Sequence, residues 1–152
     1  MKTFKGSGVA LVTPFLQDGS IDYTALKALV ALQVAGGTDF LVVQGTTGES
    51  PTLSQDEKRR VLDTVLEENN GKLPVVYGIG GNNTHGLEAL FSNLPSGVDG
   101  ILSVSPYYNK PIQKGIVAHF KMVASYTDLP IILYNVPGRT GSNMSVETTL
   151  EL

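Results

Sequence analysis

The chain has 152 residues, enough for one domain with a sizeable buried core. Hydrophobic residues make up 41% and charged residues only 16%, and so low a charged share favours segments covered on both faces, as in α/β proteins. The net charge of -3 gives no reason to expect nucleic acid or an anionic membrane as a partner, and the absence of cysteine excludes disulfide scaffolds, thiolate zinc sites and thiol nucleophiles.

The N-terminal segment Met1–Thr13 is a short apolar run broken by glycines. It lacks the basic start and long apolar core of a signal peptide, and no apolar stretch reaches transmembrane length, so we expect a cytoplasmic protein. Along the chain, β-branched apolar runs predict strands, each followed by a cluster of Gly, Pro, Ser or Asn. These runs are Gly8–Thr13, Asp39–Gln44, Val75–Ile79, Gly100–Val104 and Ile131–Tyr134.

Segments with the helical spacing of apolar residues separate the predicted strands. One of them opens with Ser54 and Glu57, the pair of a capping box, and is closed by Asn70-Gly71. The predicted helices are Asp22–Ala35, Ser54–Asn69, a weaker segment from Thr84 to Pro95, Gln113 to about Tyr126, and a last one that begins at Ser145. In the fourth, we expect Ile116, Val117, Phe120 and Ala124 to face the core.

This repeated strand-helix order predicts an α/β fold. A small or polar group follows every strand, which favours a barrel because a doubly wound sheet needs elaborate carboxyl ends only beside its switch point. We therefore predict the (β/α)8 TIM barrel family with about the first five βα units present. Residues 1–152 are predicted to form one domain, the N-terminal portion of such a barrel and truncated, because Leu150 and Leu152 are core-like and no cap follows them.

The stretch Gly45-Thr46-Thr47-Gly48-Glu49 lies where the second predicted strand ends. Its glycines leave backbone amides accessible beside two adjacent hydroxyls, which suits a small carboxylate. A glycine-rich turn whose threonines cap the local backbone is the alternative. The stretch lacks the lysine and spacing of a P-loop, so phosphate binding is the less favoured functional interpretation.

Two adjacent tyrosines follow the fourth predicted strand in Ser105–Pro111, a loop pinned by prolines. Tyr108 is the better candidate for a phenol that relays protons. Tyr107 is interpreted as an aromatic residue that packs on its own barrel or on a partner subunit.

The stretch Tyr134–Gly141 follows the apolar strand residues Ile131–Leu133. Tyr134 is therefore predicted to hold its hydroxyl at the barrel mouth, where the hydroxyl needs a hydrogen-bond partner. Arg139 comes next, in a loop rich in Pro and Gly, where its planar guanidinium can bind a carboxylate through two hydrogen bonds. The alternative is an arginine that ties the loop to an acidic surface residue.

Together, Gly45–Ser50, Pro106–Pro111 and Tyr134–Gly141 resemble, in order and in position on the strands, the three signature stretches of the 4-hydroxy-tetrahydrodipicolinate synthase family. The resemblance covers the whole chain. Each stretch alone is shared with other pyruvate-dependent class I aldolases, such as N-acetylneuraminate lyase. Their conjunction with Arg139 favours the first family.

The resemblance implies a Schiff-base condensation of pyruvate with L-aspartate 4-semialdehyde in lysine and diaminopimelate biosynthesis, without a metal or organic cofactor. It implies that Tyr134 is the acid/base of imine formation, with Thr46 and Tyr108 as its proton relay. Thr47 would bind the pyruvate carboxylate and Arg139 the carboxylate of the aldehyde. A homodimer or homotetramer is also implied, because in this family the residue at the position of Tyr108 reaches its site across a tight dimer interface.

In this family the imine-forming lysine lies on the sixth strand, beyond the strands predicted here. The lysines of the chain, including Lys110 and Lys114, lie in predicted loops, helices or termini, where solvent keeps the amine charged. We therefore predict that the isolated chain lacks the nucleophile and is inactive alone. Two other interpretations stay open, a sugar-acid aldolase on the same scaffold and a non-catalytic half barrel with exposed strand edges.

Overall fold

The computed structural model describes residues 4–152, so Met1–Thr3, which begin the segment judged not to be a signal peptide, lie outside the described residues. Strands and helices alternate along the described chain. The strands are β1 (Gly8–Ala10), β2 (Phe40–Val43), β3 (Val75–Gly78), β4 (Gly100–Val104) and β5 (Ile131–Tyr134). The helices are α1 (Tyr23–Ala35), α2 (Gln55–Asn69), α3 (Glu88–Ser92), α4 (Gln113–Ala124), α5 (Pro137–Thr140) and α6 (Val146–Glu151).

The five predicted strands are all present, and β4 and β5 have the predicted bounds. By contrast, β1 and β2 are shorter than predicted. β2 ends at Val43 because the next residue, Gln44, has a φ of 59°, in the left-handed region that an extended strand excludes. After β1 the Leu11 amide still donates to the Val42 carbonyl at 2.9 Å, so the ladder continues one residue beyond the strand.

The described residues form two compact units, one reaching Gly78 and including Pro95–Gly100, the other comprising Ile79–Leu94 and Ile101–Leu152. In the first unit, β1 pairs with β2 and β2 with β3, both in parallel. Parallel pairs need a crossover, and α1 and α2 provide it. The core of this unit is apolar, with Leu26, Val30, Leu41, Val65 and Val75 fully buried.

Both helices of the first unit have a side-chain N-cap, and the one at Ser54 is the predicted capping box. The Asp22 side chain accepts a hydrogen bond from the Ala25 amide at 2.9 Å. In the capping box, the Ser54 amide donates to the Glu57 carboxylate at 2.8 Å, and the Glu57 amide donates to the Ser54 hydroxyl at 3.3 Å. Such caps fix where each helix begins, and hence the length of the loop between it and the preceding strand.

In the second unit, β4 pairs with β5 in parallel. Its core includes Ile116 and Phe120 of α4 together with Met144, and Leu133 of β5 packs against them. Ala124, which we expected to face inward, is exposed, and Val123 is fully buried in its place. The buried stripe of α4 therefore advances by three residues after Phe120 where we expected four, and both spacings lie on one helical face.

Two short helices end the second unit. α5 is absent from the sequence prediction, which had Arg139 in a loop; it spans a single turn and ends at Gly141, whose φ is 69°. α6 begins after Ser145, as predicted, with the Ser145 hydroxyl accepting from the Thr148 amide at 3.2 Å. Leu150 was expected to be core-like, but in the described chain it is 82% exposed. The single-domain assignment stays a prediction.

Candidate active site

The Gly45–Glu49 stretch is a compact turn at the carboxyl end of β2. Thr46–Gly48 form one 3-10 turn, in which the Gly48 amide donates to the Gly45 carbonyl at 3.0 Å and the Glu49 amide to the Thr46 carbonyl at 3.1 Å. Neither bond uses the amide of Thr47. The side chains of Thr46 and Thr47 are exposed, while Gly48 is buried. Two exposed threonines on a folded turn are consistent with the predicted carboxylate site.

A buried side chain holds this turn in place through a hydrogen bond. The hydroxyl of Thr13, which is 5% exposed, donates a 2.7 Å hydrogen bond to the Gly48 carbonyl. Gly48 itself has little room, because a Cβ there would lie 3.3 Å from the Leu11 carbonyl oxygen. The turn is thus held against the end of β1 by a bond that the sequence analysis did not anticipate.

The tyrosine loop after β4 belongs to the second unit. Pro106 is buried, but Tyr107 is 40% and Tyr108 87% exposed. Tyr108 has a φ of 68°, which is uncommon for a bulky residue. The Asn109 amide donates to the Tyr107 carbonyl at 2.8 Å, and the Asn109 side chain donates to the Asn82 carbonyl at 3.1 Å. These bonds hold the loop in a shape that projects the Tyr108 ring outward.

Tyr134 ends β5, where its carbonyl accepts a 3.1 Å hydrogen bond from the Ser105 amide. The following connection is fixed by the Asn135 side chain, which donates to the Asn143 side chain at 2.8 Å and accepts from the Met144 amide at 3.1 Å. Tyr134 is half-buried in the described chain. The strand end and the loop that follows it are therefore well defined by hydrogen bonds.

Arg139 lies on α5 and is exposed. The ion pairs of the described residues join Arg59 to Asp63 and Lys121 to Glu151. No carboxylate among residues 4–152 lies within ion-pair distance of Arg139. In this part of the chain, Arg139 therefore does not tie its loop to an acidic surface residue. Its guanidinium is available to an anion from outside.

The second unit contains Tyr108, Tyr134 and Arg139, and its tyrosine loop contacts Gly141, which directly follows the helix that carries Arg139. The contact is made by Lys110, whose side-chain carbons lie beside Gly141. Thr46 and Thr47 lie in the first unit. The relay of Thr46, Tyr108 and Tyr134 stays a prediction.

Two buried polar residues were missed by the sequence analysis. Gln44 is 5% exposed, and neither side-chain polar atom has a hydrogen-bond partner among residues 4–152. His119 is 4% exposed, and its Nδ1 lies 2.9 Å from the Thr84 hydroxyl. A glutamine that ends an apolar run was the available signal for the first. For the histidine, its place on the buried stripe of α4 was the signal.

His119 also lines a cleft of about 300 Å³ in the second unit, together with His85, Asn82, Asn109 and Met122. Burial lowers the pKa of His119 from its ordinary value of 6.5. Its imidazole is therefore neutral near pH 7, and within residues 4–152 its Nε2 has no hydrogen-bond partner.

The described part of the chain contains neither a cluster of metal ligands nor a membrane-spanning helix. Residues 4–152 contain no group of three His, Asp or Glu side chains placed to hold a metal ion. No helix in the same residues has the length and apolar character needed to cross a membrane.

Comparison with known proteins gives a consistent result. The model of the dihydrodipicolinate synthetase family matches residues 3–152. The chain is 58% identical to the 4-hydroxy-tetrahydrodipicolinate synthase of Flavobacterium psychrophilum over 100% of its own length and 52% of the relative's. It is 55% identical to the synthase of Parabacteroides distasonis, over 97% and 50%. The chain thus spans about half the length of the curated relatives it matches.

Solved structures agree. The dihydrodipicolinate synthase of Acinetobacter baumannii, solved with pyruvate, superimposes with a TM-score of 0.95 at 43% identity, over 99% of this chain and 52% of that one. The synthase of Aquifex aeolicus gives 0.91 at 47%, over 98% and 51%. With the parallel βα units of both halves of the chain, these matches confirm the predicted fold class, the first βα units of a TIM barrel.

Proposed function

Because the chain belongs to the dihydrodipicolinate synthetase family, we propose that it forms the substrate-binding first half of an enzyme that condenses pyruvate with L-aspartate 4-semialdehyde. The observation that carries this proposal is Arg139, an exposed guanidinium directly after β5 that no acid among residues 4–152 neutralises. An arginine in that state suits a substrate carboxylate, since its planar fork can donate two parallel hydrogen bonds.

The roles of the polar residues follow from the chemistry of imine formation. An amine attacks the keto carbon of pyruvate, and the resulting carbinolamine must gain a proton on its oxygen before water leaves. Tyr134 supplies that proton, which leaves with the water, and Tyr134 is then reprotonated through the relay of Thr46 and Tyr108. Thr47 binds the pyruvate carboxylate through its hydroxyl and through an amide that its own turn does not use.

After water is lost, the imine gives up a proton from the pyruvate methyl group to form an enamine. The enamine carbon attacks the aldehyde carbon of the second substrate, and the aldehyde oxygen takes up a proton. Arg139 fixes the carboxylate of that substrate, and so orients the aldehyde towards the enamine. We propose that the attacking amine is none of the lysines in residues 1–152.

A second copy of the enzyme completes the site. Tyr108 is 87% exposed in this chain, and a phenol surrounded by water is a poor proton relay because solvent competes for its hydrogen bonds. We propose that a homodimer or a homotetramer built from it covers this ring. The resemblance to the family motif, in which the matching tyrosine crosses a dimer interface, supports this assignment.

The proposal is tested in a complete barrel. Residues 1–152 would replace the matching half of the Flavobacterium psychrophilum relative, and pyruvate consumption would be followed with aspartate semialdehyde and with a panel of sugar-acid aldehydes. We expect turnover with aspartate semialdehyde. Preference for a sugar-acid aldehyde would overturn the substrate assignment in favour of the other aldolases.

A second experiment tests the origin of the amine. The 152-residue chain is incubated with pyruvate and borohydride, and its mass is then measured by mass spectrometry. We expect no adduct, whereas the chimeric barrel treated in parallel should gain one. A stable adduct on the 152-residue chain would show that one of its own lysines is the nucleophile.

A further inference from the structure

The side chain of Lys110 lies across the backbone of Gly141. A Cβ placed on Gly141 would lie 2.8 Å from Lys110 Cε, 3.5 Å from Cδ and 3.6 Å from Cγ. Gly141 directly follows the last residue of α5, the helix carrying Arg139. The lysine of the tyrosine loop is therefore packed, through its aliphatic carbons, on the connection that holds Arg139.

Glycine is needed at 141 for two reasons. Its φ of 69° lies in the left-handed region that residues with a side chain avoid, and any side chain there would have to displace Lys110. The Lys110 backbone is constrained as well, with a φ of 47° and Pro111 directly after it. A non-glycine residue in this region costs about 1 kcal/mol or more. Local geometry thus fixes the course of the lysine side chain.

The charge of Lys110 is not neutralised inside the described chain. No carboxylate of residues 4–152 lies within ion-pair distance of its ammonium, as is also true of Arg139. The Glu151 carboxylate, one of the few acids in the second unit, pairs with Lys121 at 2.9 Å. Two cations on adjoining segments raise the local positive potential, and this favours binding of an anion at the same place.

From this packing we infer that Lys110 is a second anion-binding residue of the Arg139 subsite. In this subsite Arg139 binds the carboxylate of the aldehyde through two hydrogen bonds, and Lys110 supplies a second positive charge from the adjoining segment. The inference rests on the proposed function, because the carboxylate is that of the second substrate. The Lys110–Gly141 contact then has a role as well, because it holds the tyrosine loop in a fixed position relative to α5.

The test uses succinate semialdehyde, which has an aldehyde and one carboxylate, as a probe. Binding to the 152-residue chain is followed by NMR of the Arg139 and Lys110 side chains. Lys110→Met keeps the aliphatic packing on Gly141 and removes the charge, Lys110→Arg keeps the charge, and Lys114→Met is the control at an exposed lysine on α4. We expect Lys110→Met to weaken binding roughly two- to fivefold, the range of an exposed ion pair, with the other two variants close to wild type.

The inference is overturned if Lys110→Met binds the probe as tightly as the wild type, if Lys114→Met weakens it equally, or if the wild-type side chains do not respond to the probe. Failure of the proposed function would look different. The chimeric barrel would then not condense aspartate semialdehyde with pyruvate, while Lys110→Met would still weaken carboxylate binding.

Discussion

Thr13 and Gly48 are joined by a buried hydrogen bond in which the threonine hydroxyl donates to the glycine carbonyl at 2.7 Å. The two residues are 35 positions apart in sequence. Thr13 follows β1, and Gly48 closes the turn that presents Thr46 and Thr47 at the end of β2. The bond therefore couples the stability of the first unit to the shape of the proposed pyruvate-binding turn.

Replacing Thr13 with valine keeps the shape of the side chain and removes the donor. The Gly48 carbonyl then lacks its partner in a buried place, which should lower the free energy of unfolding by about 1–3 kcal/mol. Urea denaturation of the two proteins measures this difference. Thr38→Val is the control, because the Thr38 hydroxyl donates to the side chain of the nearby Gln33 and not to a distant backbone carbonyl. Equal losses in both variants would contradict a special role for Thr13.

Gly78 is expected to tolerate no side chain. A Cβ there would overlap the Gln44 carbonyl oxygen and lie 2.7 Å from its carbonyl carbon and 3.1 Å from the Gly45 nitrogen. All three are backbone atoms, so Gly78→Ala must move the start of the threonine turn. We expect a loss of about 1–3 kcal/mol in unfolding free energy, as for overpacked sites.

Gly138→Ala provides the matched control for that change. Nothing lies within 4 Å of a Cβ at Gly138, which is a residue of α5. Thermal unfolding should show a lower melting temperature for the Gly78 variant and little change for the Gly138 variant. A Gly78→Ala protein as stable as the wild type would show that the turn is not pressed against β3.

His119 should make stability depend on pH. Because burial lowers its pKa below 6.5 in the folded state, the unfolded chain binds a proton more readily. The free energy of unfolding therefore falls as the pH drops below 6.5, and it stops falling once the pH is below the folded-state pKa. Above pH 6.5 the imidazole is neutral in both states and adds no pH dependence. The His119→Gln variant lacks this titration. Its free energy of unfolding should therefore fall less than that of the wild type when the pH is lowered from about 7.5 to about 5.5.

The other histidine of the chain, His85, is exposed and serves as the comparison. His85→Gln is the matched control and is measured by urea denaturation at the same two pH values. If His119→Gln and the wild type lost equal stability on acidification, the buried imidazole would not be the group responsible.

The sequence predicted the strands well because β-branched runs bounded by Gly and Pro are local signals. It missed α5, although Pro137 at its first position and Gly141 just after its end follow the usual preference for Pro at the start and Gly past the end of a helix. A single turn is too short for the periodicity of apolar residues to reveal. Ala124 was misplaced because either three or four residues after Phe120 fits a helical face, and only packing decides between them.

The candidate residues were predicted from short motifs, but the contacts around them could not be predicted from the sequence. The Thr13–Gly48 bond and the packing of Lys110 on Gly141 join segments that are distant in sequence, and no local pattern announces such contacts. The lack of an acidic partner for Arg139 within residues 4–152 is likewise a property of the folded chain. This property supports the proposal that Arg139 binds a substrate carboxylate.

The proposed function depends on Arg139 binding the carboxylate of the aldehyde, and steady-state kinetics of Arg139→Gln in the chimeric barrel test this most directly. Losing hydrogen bonds to a charged group should raise KM for aspartate semialdehyde roughly 10- to 100-fold and leave KM for pyruvate nearly unchanged. An unaltered KM for the aldehyde, or an equal rise for both substrates, would contradict the account.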